Sequence, residues 1–135
     1  MSAQMAGPEP AEGEPAYRLT GLIGFCAALL ILRILPLRRA TALVARLGRH
    51  RPPATTAEAQ AAVNGARRAS RYFPGRAACM ENSLAAVLAG LLHRRKTDWC
   101  IGARTLPYTT HAWVEAEDTP VGEPADRPYH VLLRV

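Results

Sequence analysis

Cys79-Met80-Glu81-Asn82-Ser83-Leu84-Ala85-Ala86-Val87-Leu88 is the stretch on which the reading of this chain turns. It follows Pro74-Gly75, a pair that breaks a helix, and runs on to about His93 with Leu84, Val87, Leu88, Leu91 and Leu92 at helical spacing. The spacing predicts a helix with Cys79 at its N-terminus and those five residues as its buried stripe. After Arg94-Arg95-Lys96 the pattern changes. Trp99 to Arg104, Thr109 to Glu117 and Tyr129 to Arg134 are short β-rich runs separated by Pro and Asp/Glu turns. Helices followed by strands predict an α+β fold, with an antiparallel sheet laid against the Cys79 helix.

Upstream, Thr55 with Glu58 three residues later is the pattern of a capping box, which starts a helix running to about Tyr72. Ala59, Ala62, Val63, Ala66, Ala69 and Phe73 share one face of it. Arg38 to Leu47 reads as a short amphipathic helix carrying Leu43, Val44 and Leu47, and Pro36 separates it from the apolar run before it. That run, residues 19–32, is uncharged over fourteen residues, short of the ~20 that cross a bilayer. The acidic segment ahead of it (Glu9, Glu12, Glu14) and the lack of a clear cleavage site argue against a secretory signal. A helix packed on the domain or on a partner is expected, with membrane contact through 19–35 as the alternative. Residues 1–16, rich in Ala, Gly, Pro and Glu, are expected to be disordered. The chain thus divides into 1–16, basic and hydrophobic helices over 17–51, and a domain over 52–135.

At 135 residues there is material for one domain. The net charge of +6 comes almost wholly from arginine, with Lys96 the single lysine. Arg33, Arg38, Arg39, Arg46, Arg49 and Arg51 crowd the front, while Glu115, Glu117, Asp118, Glu123 and Asp126 crowd the region after His111. A basic half could attract nucleic acid, an acidic peptide or anionic lipid, but a solvated basic surface is the plainest reading. Without a helix-turn-helix, zinc-finger or aromatic-interleaved basic motif, no nucleic-acid partner is expected. Cys26, Cys79 and Cys100 are odd in number and lie in unlike contexts, which does not suit a disulfide framework and fits reduced thiols in a cytoplasmic setting.

The chemistry gathers on Cys79 and His111. Unpaired N–H groups and the macrodipole at a helix N-terminus favour a thiolate there, and the same groups can hold an oxyanion. Against this stands the buried, inert cysteine, the commoner fate of a free thiol. His111, in the strand Thr110-His111-Ala112-Trp113-Val114-Glu115, can take the thiol proton and return it to a leaving amine. His50, His93 and His130 have poorer settings. A third group should orient the imidazole. The candidates are Asp118, Glu123 and Asp126. Asp118 falls in the turn directly after the strand. Glu123 reaches His111 if residues 119–122 make a hairpin turn and return beside it, and is preferred. Asn82 and Ser83, one turn beyond Cys79, can line the cleft or cap and pack locally, and local packing is expected. The Cys and His spacings form no zinc motif and there is no Gly-rich phosphate loop, so no metal or cofactor is expected.

Arg68-Ala69-Ser70-Arg71-Tyr72-Phe73-Pro74-Gly75-Arg76-Ala77-Ala78-Cys79-Met80-Glu81-Asn82-Ser83-Leu84-Ala85 resembles the cysteine block of lasso peptide leader peptidases, which belong to the transglutaminase-like group of cysteine proteases. Trp99-Cys100-Ile101-Gly102-Ala103-Arg104, His111-Ala112-Trp113-Val114-Glu115 and Pro120-Val121-Gly122-Glu123 resemble its next three blocks, in order, over roughly 52–135. The resemblance implies a transglutaminase- or papain-like core, with Cys79 as nucleophile, His111 as base and Glu123 where many members have Asp. It implies removal of the leader from a ribosomally made precursor, without metal or cofactor. The region before the match is too short for a leader-recognition domain. The split form is therefore expected, in which a small companion protein binds the leader and an ATP-dependent cyclase takes the freed core. Acyl transfer without hydrolysis, and a non-catalytic partner-binding module, are the alternative functions.

Overall fold

The computed structural model describes residues 15–71, 79–105, 108–122 and 129–135. Four helices, α1 (Pro15–Ile34), α2 (Leu37–Leu47), α3 (Thr56–Ser70) and α4 (Cys79–Leu92), precede four strands, β1 (Asp98–Thr105), β2 (Tyr108–Ala116), β3 (Thr119–Val121) and β4 (His130–Arg134). The strands form one antiparallel sheet in the order β3-β2-β1-β4. The α+β expectation holds.

The capping box at α3 is present in both directions. The Glu58 N–H donates to the Thr55 hydroxyl at 3.1 Å and the Thr55 N–H donates to the Glu58 carboxylate at 2.9 Å. These bonds satisfy two of the N–H groups that a helix start leaves without partners. A second acid reinforces the same end: Glu117, from the far side of the fold, accepts from the Thr56 N–H and hydroxyl. Ala59, Ala62, Val63, Ala66 and Ala69 are buried as the spacing predicts. α3 ends at Ser70; Tyr72 and Phe73 lie outside the described residues.

α4 is enclosed on every side. Residues 83–90 are all buried, as expected of a helix that is apolar around its whole circumference. α1 and α3 cover it from one direction and β1 and β2 from another. The predicted stripe fails at Leu92, which is 51 % exposed, because that last helical residue projects past the enclosed stretch. Leu47 of α2 is likewise exposed, while Ala40 and Val44 face inward.

α1 begins at Pro15, inside the segment expected to be disordered; proline lacks only an N–H that a first helical turn would leave unpaired. Its inner face, with Gly21, Phe25 and Ala28, is buried against α3 and α4. Two glycines make the crossing. A Cβ added at Gly21 would lie 2.5 Å from the Gly65 carbonyl carbon, and one at Gly65 would lie 2.4 Å from the Tyr17 carbonyl oxygen. From Ala16 to Ile34 the helix is long and apolar enough to cross a membrane by length and composition. Its packing nevertheless ties it to the domain.

Residues opposite one another in a sheet share a face. Trp99, Ile101, Ala112, Val114 and Val121 belong to the face that joins the helices in one core. Cys100, Gly102, His111, Trp113 and Glu115 belong to the other face. β2 ends at Ala116 rather than Glu117. The turn is Glu117-Asp118, both at positive φ (53° and 61°); Asp tolerates that conformation, and Glu117 is held in it with its carboxylate on Thr56. This corrects the expected hairpin turn at 119–122. Thr119, Pro120 and Val121 are already strand, and Pro120 is accommodated because β3 is an edge strand.

Candidate active site

The chemistry-bearing residues converge at an edge of β2. β3 pairs only with Val114, Glu115 and Ala116, and before that point the N-terminus of α4 comes up to β2. The Ala112 N–H donates to the Cys79 sulfur at 3.4 Å, so a strand amide reaches the thiol at the start of α4. Cys79 is half-buried. It opens on a cavity of about 250 Å³ that is also lined by His111, Asn82, Ser83, Arg67 and Trp113. The thiol and the imidazole, separated by thirty-two positions in the sequence, thus line one cavity.

His111 is held by aromatic rings. It stacks on Trp113 at 5.8 Å between centroids with 17° between planes, and lies 5.2 Å from the ring of Tyr129. Trp113 lies against Gly102, where an added Cβ would approach the indole to 2.7 Å. The indole N–H donates to Glu115 at 2.9 Å, and Glu115 also accepts from Arg134. Burial pushes the Glu115 carboxyl up. The hydrogen bonds from Arg134 and Trp113, with the Arg134 charge, outweigh it and hold the group below the ordinary carboxylate value. Beneath the imidazole therefore lies a chain of fixed groups: ring, indole, carboxylate, guanidinium.

Neither of the other cysteines lines the cavity. Burial, with the nearby Glu115 charge, pushes the Cys100 thiol up to about 12, which removes it as a nucleophile at neutral pH. Cys26 is exposed on α1. His93 stacks on Tyr17 at 3.9 Å and bonds to Thr20, joining α4 to α1. His50 lies in an exposed loop and His130 is exposed on β4. A larger cavity, of about 370 Å³ between α2, α4 and the end of β4, is lined by neither cysteine nor histidine. Among the described residues no three His, Cys, Asp or Glu side chains are grouped to hold a metal ion.

Of the three acids considered for orienting His111, Asp118 sits in the β2–β3 turn, about 17 Å of strand from His111. That distance excludes it. Glu123 and Asp126 lie outside the described residues. β3 runs antiparallel to β2 and its last residue, Val121, pairs with Val114, so the chain leaves β3 heading toward the His111 end of β2. Arg67 of α3 donates to the Gly122 carbonyl at 3.0 Å and fixes that exit.

The transglutaminase-like superfamily is the family whose model matches this sequence, over residues 22–134. The chain belongs to it. The match takes in most of α1 and all of α2 as well as the Cys79 and His111 elements, in keeping with the single core that these helices share. No curated protein and no solved structure matches significantly. A transglutaminase-like fold with a thiol at a helix start is a setting for cysteine hydrolase or acyl-transferase chemistry.

Sequence reasoning singled out Cys79 and His111 but missed what holds them. The Ala112 amide carries no side-chain signal. The alternation of His111, Trp113 and Glu115 along one strand face was there to be read, since period two places all three together. Ser83 and Asn82, expected to pack locally, both line the cavity; Ser83 also accepts the buried Trp99 indole N–H at 2.9 Å.

Proposed function

We propose that this transglutaminase-like chain is a cysteine peptidase that removes the leader from a lasso peptide precursor. The observation that carries the reading is the shared cavity of Cys79 and His111, in a chain whose sequence blocks resemble those of leader peptidases in order. His111 takes the Cys79 proton, and the thiolate attacks the carbonyl carbon at the leader–core junction. The α4 N-terminal amides stabilise the resulting oxyanion. The C–N bond breaks as His111 gives the proton to the departing core amine, leaving a thioester on Cys79. Water, deprotonated by His111, then attacks the thioester, and the S–C bond breaks to free the leader as an acid. Glu123 is the orienting carboxylate in this scheme, supported by the direction in which the chain leaves β3.

The partners proposed with it are the precursor, a small leader-binding protein and an ATP-dependent cyclase that uses the freed amine, all in the cytoplasm. The test is mass spectrometry of a leader–core peptide incubated with the chain, with and without the leader-binding protein. Leader loss that disappears with Cys79→Ala and with His111→Ala, the variants melting like the parent, is the expected result. An uncut peptide in every folded sample refutes it. An amine adduct on the leader, in place of a free acid, moves the assignment to acyl transfer.

A further inference from the structure

α1 presents two unlike faces. The inner one is committed to the core. On the outer one Leu19, Ile23, Leu30 and Ile34 are 62 %, 47 %, 60 % and 66 % exposed. Steps of four and seven residues put them on one side of the helix, a strip about 23 Å long. Ile23 also borders a shallow groove of about 240 Å³ shared with Leu47, Leu92 and Arg51. Past Glu9, Glu12 and Glu14, which precede the helix, the charge along the sequence has one sign. Residues 15–57 contain seven arginines and no aspartate or glutamate. Arg33 lies on the strip itself, between Leu30 and Ile34, and Arg38 and Arg39 open α2; all three are exposed.

We propose that this face is a peripheral docking surface for an anionic lipid bilayer. α1 lies in the plane of the membrane, with its aliphatic strip at the headgroup–acyl boundary and Arg33, Arg38, Arg39 and Arg51 against lipid phosphates. An aliphatic strip flanked by arginines at its Ile34 end and along α2 matches that partner. A protein-binding patch is typically built around aromatic anchors, and the exposed strip has none. Spanning the bilayer is excluded by the inner face, since crossing would strip Phe25 and Ala28 out of the core. α3 and α4 stand between α1 and the sheet, so the docked chain keeps its Cys79–His111 cavity turned to water. This surface stands independently of the proposed peptidase activity.

The test is co-sedimentation of the full chain with phosphatidylcholine vesicles, either pure or containing roughly one-third phosphatidylglycerol. Binding to the anionic vesicles, weakened by salt, is expected. Replacing Arg38 and Arg39 by Gln should weaken it about fivefold per arginine. Ile23→Ser with Leu30→Ser should weaken it roughly tenfold or more. Because these side chains are exposed, both double variants should melt like the parent, which separates lost docking from lost folding. A folded chain that stays in the supernatant with both kinds of vesicle overturns the proposal. So does a chain that dimerises through this strip, with the dimer abolished by Ile23→Ser and Leu30→Ser, or one that binds pure phosphatidylcholine equally well.

Discussion

Replacing Ser83 by alanine should loosen the joint between the helix that carries Cys79 and the sheet that carries His111. Trp99 is fully buried on β1 and Ser83 is 6 % exposed on α4; the indole N–H donates to the Ser83 oxygen at 2.9 Å. Without that oxygen the N–H is left in an apolar interior, at a cost of about 1–3 kcal/mol. Alanine returns up to ~0.5 kcal/mol through its better helix propensity. The Ser83 hydroxyl also donates to the Met80 carbonyl at 3.1 Å, but a helical carbonyl in that position has its backbone partner as well. The net loss should therefore be about 1–2 kcal/mol. Urea unfolding followed by far-ultraviolet circular dichroism measures it, with the urea slope unchanged. The decisive comparison is the same substitution in a Trp99→Phe background, which keeps a buried ring and removes the donor. There Ser83→Ala should cost almost nothing, giving a coupling of roughly 1–2 kcal/mol across the cycle. Equal losses in both backgrounds would show that Ser83 acts by some route other than this bond.

Gly65→Ala sets helix propensity against packing. It gains up to ~1 kcal/mol as a helix residue, yet places a Cβ 2.4 Å from the Tyr17 carbonyl, an overlap of backbone that costs about 1–3 kcal/mol. A lower melting temperature is expected, and a higher one would refute the glycine-mediated crossing. Ellman's reagent should titrate Cys26 in the folded protein and reach Cys100 only after unfolding. Because the Cys100 thiol is raised from 9.0 to about 12 in the folded state, its contribution to stability is complete below pH 9.0. It is lost as pH climbs toward about 12, since the unfolded thiol ionises first. Cys100→Ala should flatten that alkaline decline in urea melts. Glu115 shifts the other way. Its carboxyl is held below the ordinary carboxylate value, so its contribution is present above that ordinary value and is lost as pH falls through the folded one. Glu115→Gln should lower stability at neutral pH and remove part of the acid sensitivity.

The helices were legible because their signals are local. The Thr55–Glu58 box needs only neighbouring residues to be read. The strand after Lys96 announces itself by a change of period, and Cys79 and His111 by the residues on either side of them. Leu92 was misread because a periodic stripe says which side is apolar, not where the covering elements stop. The hairpin turn was misread for a related reason. Pro and Gly in Thr119-Pro120-Val121-Gly122 are strong turn residues, yet Glu117 and Asp118 take the left-handed turn and Glu117 is anchored on Thr56. That anchor spans sixty-one positions, and no pattern within the β-hairpin contains it. The amide of Ala112 and the Gly21–Gly65 crossing are invisible for the same reason: both are made by backbone, which every residue shares.

The proposed pair is divided between the two halves of the chain, the thiol closing the helical half and the imidazole arriving with the second strand. At roughly 5–20 residues per second on a ribosome, Cys79 is translated a few seconds before His111. All four helices can then begin to pack while the sheet is still unmade. Through that interval the sulfur has neither its base nor the strand amide of Ala112, and it is an ordinary helix-end cysteine. Docking of β2 supplies both partners in one event, so the folding of a single strand would serve as the step that completes the proposed site.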